Sequence, residues 1–200
     1  IAQFRDVFWD PEDTVSLRSK IRQHPLQGLR ILEIGTGTGL ISLCCLQAGA
    51  AQVVATDVNP AAVANAAYNA ESLALDDRFE VRFVAPDDTR AFAVVKPGET
   101  FDLIISNPPW EDGQPEKVLD YAFYDQDFSL LRSLLVDARE HLRPGGRLWL
   151  AYGCVTAIRK AEALAAESDW EFKSLDERNL DELDELFLPG MLRELVPKKS

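Results

Sequence analysis

The sequence predicts an α/β fold in which a doubly wound, mostly parallel sheet carries helices on both faces. Short apolar runs alternate with helical patterns along the chain, and this alternation is typical of βαβ units. The chain has 200 residues, of which 46% are apolar. This length and composition are enough for one domain with a substantial core.

Seven apolar runs are predicted to form the strands of this sheet, at 29–34, 51–56, 78–84, 101–106, 147–152, 170–175 and 191–196. Five helical patterns are predicted between and before them, at 12–23, 40–48, 60–75, 128–142 and 156–167. Pro144-Gly145-Gly146 is predicted to form a turn. The stretch 176–190 is ambiguous from its sequence.

The charge balance of the chain is acidic, with a formal net charge of -12 and a pI near 4.6. Proteins that bind nucleic acid normally present a basic patch to the phosphates, so a nucleic-acid partner is disfavoured. The three cysteines, Cys44, Cys45 and Cys154, have no metal-ligand spacing. They are interpreted as buried apolar residues of a reducing cytoplasm, and neither a metal site nor a membrane span of about 20 apolar residues is expected.

A glycine-rich loop follows the first predicted strand. Glu33 ends that strand, and Gly35, Gly37 and Gly39 come next. This spacing fits a dinucleotide-binding loop only loosely, and a plain strand-to-helix turn without a ligand is the alternative. Asp57 closes the second strand, 18 residues past Gly39, where an acid accepts hydrogen bonds from a ribose diol.

The carboxylate of Glu33 indicates what this loop would bind. A carboxylate beside a phosphate is repulsive, whereas it suits an ammonium or sulfonium group. The pocket is therefore predicted to take a cationic nucleoside without phosphate. S-adenosylmethionine fits this description better than NAD.

The pattern Glu33-x-Gly35-x-Gly37-x-Gly39, followed by Asp57, resembles the class I S-adenosylmethionine-dependent methyltransferases, which have a Rossmann-like sheet of seven strands. The resemblance implies that the loop lies near the methionine end of the cofactor, that Asp57 holds the ribose, and that Val58 packs on the adenine. It further implies that an acid after the third strand meets the adenine amino group. The cofactor-binding residues implied on this domain are Glu33, Gly35, Thr36, Gly37, Gly39, Asp57, Val58, Asn107 and Asp87, the last preferred to Asp88, although a solvated loop is the alternative for that pair.

Asn107-Pro108-Pro109-Trp110 follows the fourth strand, which the prolines end. It resembles the Asn-Pro-Pro-aromatic signature of methyltransferases that modify a planar nitrogen, although a tyrosine is commoner where Trp110 stands. The implied catalytic residues are Asn107 and Pro108, whose oxygens accept hydrogen bonds from the substrate amino group, and Trp110, on which a planar substrate stacks. Pro109 and Trp110 are candidate substrate contacts. A tryptophan that merely covers the sheet end is the alternative.

The segment from Val7 to Leu17 resembles the segment that precedes the cofactor domain in release-factor glutamine methyltransferases, with its proline displaced by one position. The resemblance implies that Asp13 and Thr14 touch the cofactor and that Phe8 and Trp9 wall the substrate pocket. Helix capping by Asp10 or Asp13 is the alternative. Residues 1–27 are therefore predicted to be a helical segment that caps the cofactor pocket, and residues 28–200 to be a single catalytic domain.

A long loop, Glu111 to Phe128, follows the Asn-Pro-Pro-Trp signature and carries three aromatic residues before Gln126. Loops of this length usually have a function, and this one is interpreted as a lid or a docking surface. Tyr121, Phe123 and Tyr124 either line a pocket or fasten the loop, and Tyr124 is a candidate substrate contact.

These observations predict an enzyme that transfers a methyl group from S-adenosylmethionine to a planar amide or amino nitrogen. A protein glutamine is the first expectation, a small metabolite the second, and a nucleic-acid base the third, since the signature also resembles that of guanine-N2 ribosomal RNA methyltransferases. Use of the cofactor for another reaction and an inactive partner subunit are further alternatives. The oligomeric state is left open.

Overall fold

The computed structural model describes residues 1–88 and 90–198. Within them, one seven-stranded sheet has the order β3-β2-β1-β4-β5-β7-β6, which confirms the predicted α/β fold. Strands β1 to β5 run parallel, and β7 lies antiparallel between β5 and β6. The strands are β1 Arg30–Ile34, β2 Gln52–Asp57, β3 Phe79–Phe83, β4 Phe101–Ser106, β5 Leu142–Cys154, β6 Trp170–Ser174 and β7 Leu186–Pro197.

Five α-helices accompany the sheet in the described residues: α1 Val15–Gln23, α2 Leu40–Gln47, α3 Pro60–Ser72, α4 Ser129–Asp137 and α5 Val155–Ala166. The start of α3 follows from its sequence, since the side chain of Asn59 accepts a hydrogen bond from the Ala61 amide and Pro60 occupies the first helical turn. Within the described part of the chain, no helix is long and apolar enough to cross a membrane.

The sheet is buried on both faces, as parallel sheets are. Alternate residues of each central strand enter one of two apolar clusters: Leu32 and Ile104 belong to one cluster, and Ile31 and Leu103 to the other. This alternation follows from the two-residue period of a strand. It explains why the central strands appear in the sequence as continuous apolar runs.

The order of the strands reverses between β1 and β4. Ile34 at the end of β1 pairs with Thr56 of β2 on one side and with Ser106 of β4 on the other, and the Ser106 hydroxyl donates to the Ile34 carbonyl at 2.9 Å. In doubly wound sheets a ligand crevice lies at the carboxyl ends of the strands at such a reversal. The loops that follow β1, β2 and β4 meet there.

Three predicted helices are longer than the helices observed by more than one residue. The helix predicted at 60–75 ends at Ser72. The helix predicted at 12–23 begins at Val15, because the side chain of Asp13 is bonded to Asn107 rather than capping α1. The helix predicted at 128–142 ends as an α-helix at Asp137 and continues as a 3₁₀ turn to His141.

The turn predicted at 144–146 lies inside β5. Phe101 of β4 pairs with Leu142, whereas Leu103 pairs with Arg147, so β5 bulges at this point. Gly145 has a φ of 82°, which glycine adopts without strain. The residues predicted to form a turn therefore form a bulge within a strand that begins five residues earlier than expected.

The ambiguous stretch 176–190 forms a 3₁₀ turn, Leu180–Glu182, and then the start of β7. Strand β7 begins at Leu186, five residues before the predicted position, and Leu186 pairs with Cys154 beyond a register shift. The Gly190 amide donates to the Asp13 carbonyl at 3.0 Å. This early part of β7 therefore lies at the carboxyl end of the sheet, against the N-terminal segment.

Candidate active site

A cavity of about 860 Å³ opens at the carboxyl ends of β1, β2 and β4. Its walls come from the loops after these strands, the N-terminal segment, the loop Glu111 to Phe128 and the start of β7. Ligand sites usually measure about 300–1,000 Å³. The cleft is therefore large enough for a nucleoside cofactor together with the end of an acceptor side chain.

The glycine loop forms the floor of this cleft. The Gly35 and Thr36 amides donate to the Thr56 carbonyl at 2.9 and 3.0 Å, which folds the loop against β2. Gly35 has a φ of 77°, and a Cβ built there would meet no atom within 4 Å. The backbone is exposed to open space at this point, as a ligand that approaches the main chain requires.

Gly39, by contrast, was predicted to bind the cofactor and does not line the cleft. It is buried with a φ of 83°, and a Cβ there would lie 3.1 Å from the Ala66 Cβ. A glycine is needed at position 39 because a side chain there would prevent the close approach of α2 and α3. The third glycine of the pattern is therefore a packing residue.

Glu33 is buried beneath the loop. Its Oε2 accepts hydrogen bonds from the Thr36 hydroxyl at 2.7 Å, from the Ser42 amide at 3.1 Å and from the Ser42 hydroxyl. Burial raises the pKa of Glu33 to about 7, against the opposing effect of these donors. A cationic ligand in the cleft would favour the ionised form of this carboxyl.

Asp57 lies at the end of β2 with both oxygens oriented by the backbone. Its Oδ2 accepts from the Gly37 amide and its Oδ1 from the Asn59 amide, both at 2.8 Å. Burial raises the pKa of Asp57, and the backbone donors oppose this rise. Val58 lines the cleft directly beside it.

The acid after β3 that faces the cleft is Asp88, not Asp87. Asp87 is exposed and lies outside the cleft wall, whereas Asp88 lines it and pairs with Arg90 at 2.6 Å. The sequence preference for Asp87 is corrected accordingly. The path of the loop after β3 decides which of these two adjacent side chains faces the cleft, and no local sequence pattern predicts that path.

The side-chain amide of Asn107 is held at both ends. Its Nδ2 donates to Asp13 Oδ2 at 2.9 Å, and its Oδ1 accepts from Trp110 Nε1 at 3.3 Å. An amide oxygen has two lone pairs, so one acceptor direction of Asn107 Oδ1 is not used by Trp110. Pro108 and Pro109 are buried and line the cleft beside it.

The ring of Trp110 lies against the end of β5. A Cβ built on Gly153 would overlap the Trp110 ring and the Phe187 carbonyl. No local sequence pattern marks Gly153 as part of the site. Its absence of a side chain is what lets the tryptophan turn its ring N–H toward Asn107.

Asp13 and Thr14 both line the cleft and are both buried. Burial raises the pKa of Asp13 to about 6, while the hydrogen bond from Asn107 opposes the rise and the nearby charge of Asp10 adds to it. The Thr14 hydroxyl lies close enough to the Asp13 carboxyl to lower its pKa, but it forms no hydrogen bond of good geometry with the described residues. A buried hydroxyl that faces a cavity without a partner indicates a polar atom of a ligand.

Aromatic residues close the cleft above these groups. Phe8 contacts Phe123 edge to face with ring centroids 5.2 Å apart, and the Tyr121 hydroxyl donates to the Pro86 carbonyl at 2.9 Å. Trp9 and Tyr124 also line the cleft and are 37% and 36% exposed. The loop Glu111 to Phe128 thus contacts the N-terminal segment and the loop after β3, and its aromatic residues both fasten it and line the cleft.

Two side-chain amides on α3, which are not among the residues predicted from the sequence, hold the N-terminal segment. Asn69 Oδ1 accepts from the Ala2 amide at 2.7 Å, and Asn65 Oδ1 accepts from the Phe4 amide at 2.8 Å. Both Nδ2 atoms donate to the Ala2 carbonyl, and Asn69 Nδ2 also donates to the Thr38 carbonyl at 2.9 Å. Two buried asparagines four residues apart on an alanine-rich helix were the available signal.

Asp125 was also missed. It is buried, lines the cleft, and caps α4 by accepting hydrogen bonds from the Leu130 and Leu131 amides at 2.9 and 3.0 Å. Burial raises its pKa. Its position at the end of the long loop explains how that loop is joined to α4.

The charge of the cleft is strongly negative. Among its lining residues the basic side chain is Arg90, which is paired with Asp88, and the described residues give the other lining carboxylates no ion-pair partner. The lining acids are Asp10, Asp13, Glu33, Asp57, Asp88, Glu111, Asp125 and Asp184. Such a cleft attracts cations and repels phosphates. With the open space at Gly35 and the unpartnered Thr14 hydroxyl, it fits a cationic nucleoside.

The family of the chain agrees with this geometry. The model of the methyltransferase small domain matches residues 14–161, which include the cleft loops after β1, β2 and β4. The chain belongs to the methyltransferase small domain family. The predicted class of enzyme, a methyltransferase, and the predicted cofactor, S-adenosylmethionine, are thereby confirmed.

Individual relatives are consistent with this assignment. The release factor glutamine methyltransferase of Cereibacter sphaeroides is 37% identical over 155 residues, which are 69% of this chain and 53% of that protein. The ribosomal protein L11 methyltransferase of Ralstonia pickettii is 31% identical over 146 residues, 73% of this chain and 38% of that protein. The chain thus spans about half the length, or less, of these curated relatives.

Solved structures show the same fold. The ribosomal protein L11 methylase of Lactobacillus delbrueckii subsp. bulgaricus superposes with a TM-score of 0.70 at 18% identity, over 96% of this chain and 82% of that one. This small-domain methyltransferase therefore has the fold of a methyltransferase that differs widely from it in sequence.

Proposed function

We propose that this methyltransferase modifies the side-chain amide nitrogen of a glutamine in a protein. The observation that carries the proposal is the orientation of Asn107, whose amide is fixed by Asp13 and Trp110 at the edge of the cleft. A planar amide opposite it can donate an N–H to the unused acceptor direction of Asn107 Oδ1. The Pro108 carbonyl is the proposed second acceptor.

The chain provides positioning rather than a strong base. An amide nitrogen is a weak nucleophile because its lone pair is delocalised. When bound, S-adenosylmethionine supplies an activated methyl group on a sulfonium. Asn107 and Pro108 would hold the amide N–H₂ group and direct its nitrogen, and Trp110 would pack beside the acceptor. The nitrogen would take the methyl carbon as the sulfur–methyl bond breaks, the sulfur would keep the bonding electrons as a neutral thioether, and the amide proton would pass to water. Positioning of this kind can account for a large share of a rate enhancement.

The cofactor-binding roles are part of the same proposal. Gly35, Thr36 and Gly37 would approach the methionine end, Asp57 the ribose hydroxyls and Val58 the adenine. Asp13 and Thr14 would close the cofactor from the N-terminal side, which gives the Thr14 hydroxyl the partner it lacks within the described chain. Glu33 would stabilise the cationic end from beneath the loop.

Three observations favour a protein glutamine as the acceptor. The relative with 37% identity is named as a release factor glutamine methyltransferase, and the excess of carboxylates in the cleft disfavours a nucleic acid, whose phosphates they would repel. The resemblance of residues 7–17 to the segment before the cofactor domain of that group adds support.

The test is methyl transfer from radiolabelled S-adenosylmethionine to glutamine peptides and to fractionated protein, RNA and small molecules. We expect label in protein and in peptides at the amide nitrogen of glutamine, located by mass spectrometry. Label confined to RNA or to small molecules would overturn the proposal.

Replacement of Asn107 tests the role of its amide. We expect Asn107→Ala to lower kcat by about 100-fold or more, because the acceptor amide loses the group that positions it, while the Kd for the cofactor changes by less than about fivefold. Asn179→Ala is the matched control, since Asn179 is an exposed asparagine outside the cleft. An unchanged kcat in Asn107→Ala would show that the amide has no role in catalysis.

A further inference from the structure

We propose that the mouth of the cleft docks an apolar protein segment that carries lysine or arginine beside the acceptor glutamine. This inference rests on the proposed function and adds to it the chemistry of the residues around the acceptor. It follows from the apolar rim of the cleft and from the unpaired carboxylates that interrupt this rim.

The apolar rim consists of six large side chains that line the cleft and are 36–52% exposed. They come from the N-terminal segment, the long loop and the start of β7, and they are Trp9, Val118, Phe123, Tyr124, Leu186 and Leu188. Twelve large apolar residues are exposed in the described part of the chain, so half of them surround this one opening. Clustered apolar exposure of this kind marks a binding surface rather than ordinary surface composition.

Three carboxylates lie among these apolar residues. Asp10, Glu111 and Asp184 each line the cleft on a segment that also contributes to the apolar rim. Within the described residues, none of the three has an ion-pair partner. Glu111 and Asp184 are exposed, so their charges are free to meet an incoming ligand.

The deeper carboxylates are already engaged, which distinguishes them from those at the rim. Backbone amides orient Asp57, the glycine loop and Ser42 hold Glu33, and Asp125 caps α4. A cationic cofactor lies at this depth in the proposed function. The three carboxylates at the rim are therefore available to form ion pairs with the protein that carries the acceptor glutamine.

These features together specify the occupant. An apolar segment would bury the exposed aromatic and leucine side chains, and a basic side chain beside it would pair with Glu111, Asp184 or Asp10. A nucleic acid would bring phosphates to the same carboxylates, and an acidic peptide would bring like charge. The complementary partner is a protein segment that is both apolar and basic.

Fluorescence anisotropy with labelled peptides tests the inference without any need for turnover. Three peptides share one apolar sequence around a central glutamine and differ only in flanking residues, which are two lysines, two serines or two glutamates. With S-adenosylhomocysteine present, we expect the lysine peptide to bind about fivefold or more tighter than the serine peptide, and the glutamate peptide to bind weakest. The preference is expected to shrink when salt rises from about 0.05 to 0.5 M, because screening weakens exposed pairs.

Charge removal at the rim tests the assignment of residues. The double variant Glu111→Gln, Asp184→Asn is expected to lose most of the lysine preference and to keep its affinity for the serine peptide. The control variant Asp77→Asn, Glu167→Gln removes two exposed carboxylates outside the cleft and is expected to keep the preference. Circular dichroism of both variants establishes that they are folded.

The outcomes separate this inference from the proposed function. Equal binding of the three peptides, or tighter binding of the glutamate peptide, overturns the inference even if glutamine is methylated. A lysine preference that the rim variant abolishes supports it, and this holds even if methyl transfer to glutamine fails, because the binding measurement does not depend on the acceptor. A preference that the rim variant keeps overturns the assignment of the rim as the docking surface.

Discussion

The orientation of one amide is the point on which the chemistry of this site depends. The two ends of an asparagine side chain have nearly the same shape but opposite hydrogen-bonding character. In Asn107 the N–H₂ end faces the Asp13 carboxylate and the oxygen faces the Trp110 N–H. A carboxylate accepts only and an indole N–H donates only, so the pair fixes which end of Asn107 is presented to the cleft.

The ionisation of Asp13 is therefore expected to appear in the pH dependence of the reaction. Burial raises the pKa of Asp13 to about 6, so its carboxyl is protonated below that pH. A protonated Asp13 can donate a hydrogen bond as well as accept one, so only Trp110 then fixes the orientation of Asn107. At saturating cofactor, we expect kcat to fall with a slope of one proton as the pH decreases, with a midpoint below about 6 because the bound cation favours the ionised form of Asp13.

Asp13→Asn tests this explanation. The variant cannot ionise, so we expect a lower kcat at pH 8 and a flat profile between pH 5 and 7. Asp10→Asn is the control, since it removes a neighbouring charge without removing the partner of Asn107. We expect it to keep the acid limb and move it to lower pH, because the charge of Asp10 helps to raise the pKa of Asp13. If kcat of Asp13→Asn still fell as the pH decreased through about 6, the titrating group would be one other than Asp13.

At the scale of elements, the cleft depends on how helix α3 holds the N-terminal segment. Asn65 and Asn69 project from one face of α3 and bond the backbone of Ala2 and Phe4. Four residues beyond Phe4, that segment provides Phe8 and then Trp9, Asp13 and Thr14 to the cleft wall. The two asparagines are thus positioning residues for a wall that they do not touch.

We expect Asn69→Ala to weaken cofactor binding without disrupting the helix. Alanine favours a helix more than asparagine does, so α3 itself should not suffer, whereas the Ala2 amide and the Thr38 carbonyl lose their partners. Loss of buried hydrogen bonds costs about 1–3 kcal/mol, part of which should appear as a rise of roughly 3- to 10-fold in the Kd for the cofactor. Calorimetric titration measures this Kd, and hydrogen exchange should show faster exchange in residues 2–9.

Asn59→Ala is an informative comparison on the same helix. Asn59 Nδ2 donates to the Asp6 carbonyl, and its Oδ1 caps α3. We expect this variant to lower stability through the lost cap in addition to loosening the segment. If Asn69→Ala destabilised the fold as much as Asn59→Ala and left the Kd unchanged, the positioning role of Asn69 would be refuted.

At the scale of the whole molecule, the parts that could be predicted from the sequence are those set by local pattern. The βαβ alternation, the glycine turn after Glu33 and the acid at the end of β2 are all encoded within a few residues. The start of β7 could not be predicted, because Leu186 and Gly190 are placed by Cys154 and Asp13, which are far away in sequence.

The errors at the site have the same cause. Gly39 fits the glycine pattern as well as Gly35 does, but its role is set by Ala66 of α3. Gly153 has no local signal at all, since its requirement comes from the ring of Trp110. Residue type and spacing identify which loops form a site, whereas contacts between distant elements decide which side chains in those loops face the ligand.

The accumulation of buried and unpaired carboxylates around the cleft is expected to lower the stability of the free protein as they ionise. Burial raises the pKa of Glu33 from 4.5 to about 7, so between these pH values the folded state binds more protons than the unfolded state. Stability therefore falls as the pH rises from about 4.5 to 7. The loss is nearly complete above pH 7, where it lowers the free energy of unfolding by an amount on the order of 3 kcal/mol.

Glu33→Gln should remove this loss while keeping an oxygen that can accept from Ser42. We expect the thermal midpoint of the wild type to fall relative to that of the variant between pH 5 and 7.5, by roughly 2–10 °C for a chain of this size.

His24 affects the pH dependence of stability in the opposite direction, because burial lowers its pKa and its folded form binds fewer protons. This effect is common to both proteins and cancels in the difference. Saturating S-adenosylmethionine should reduce the wild-type loss, because a cation near Glu33 favours its ionised form. A difference in midpoint that is independent of pH would show that Glu33 is ionised throughout, and the electrostatic account of the cleft would fail at its most buried acid.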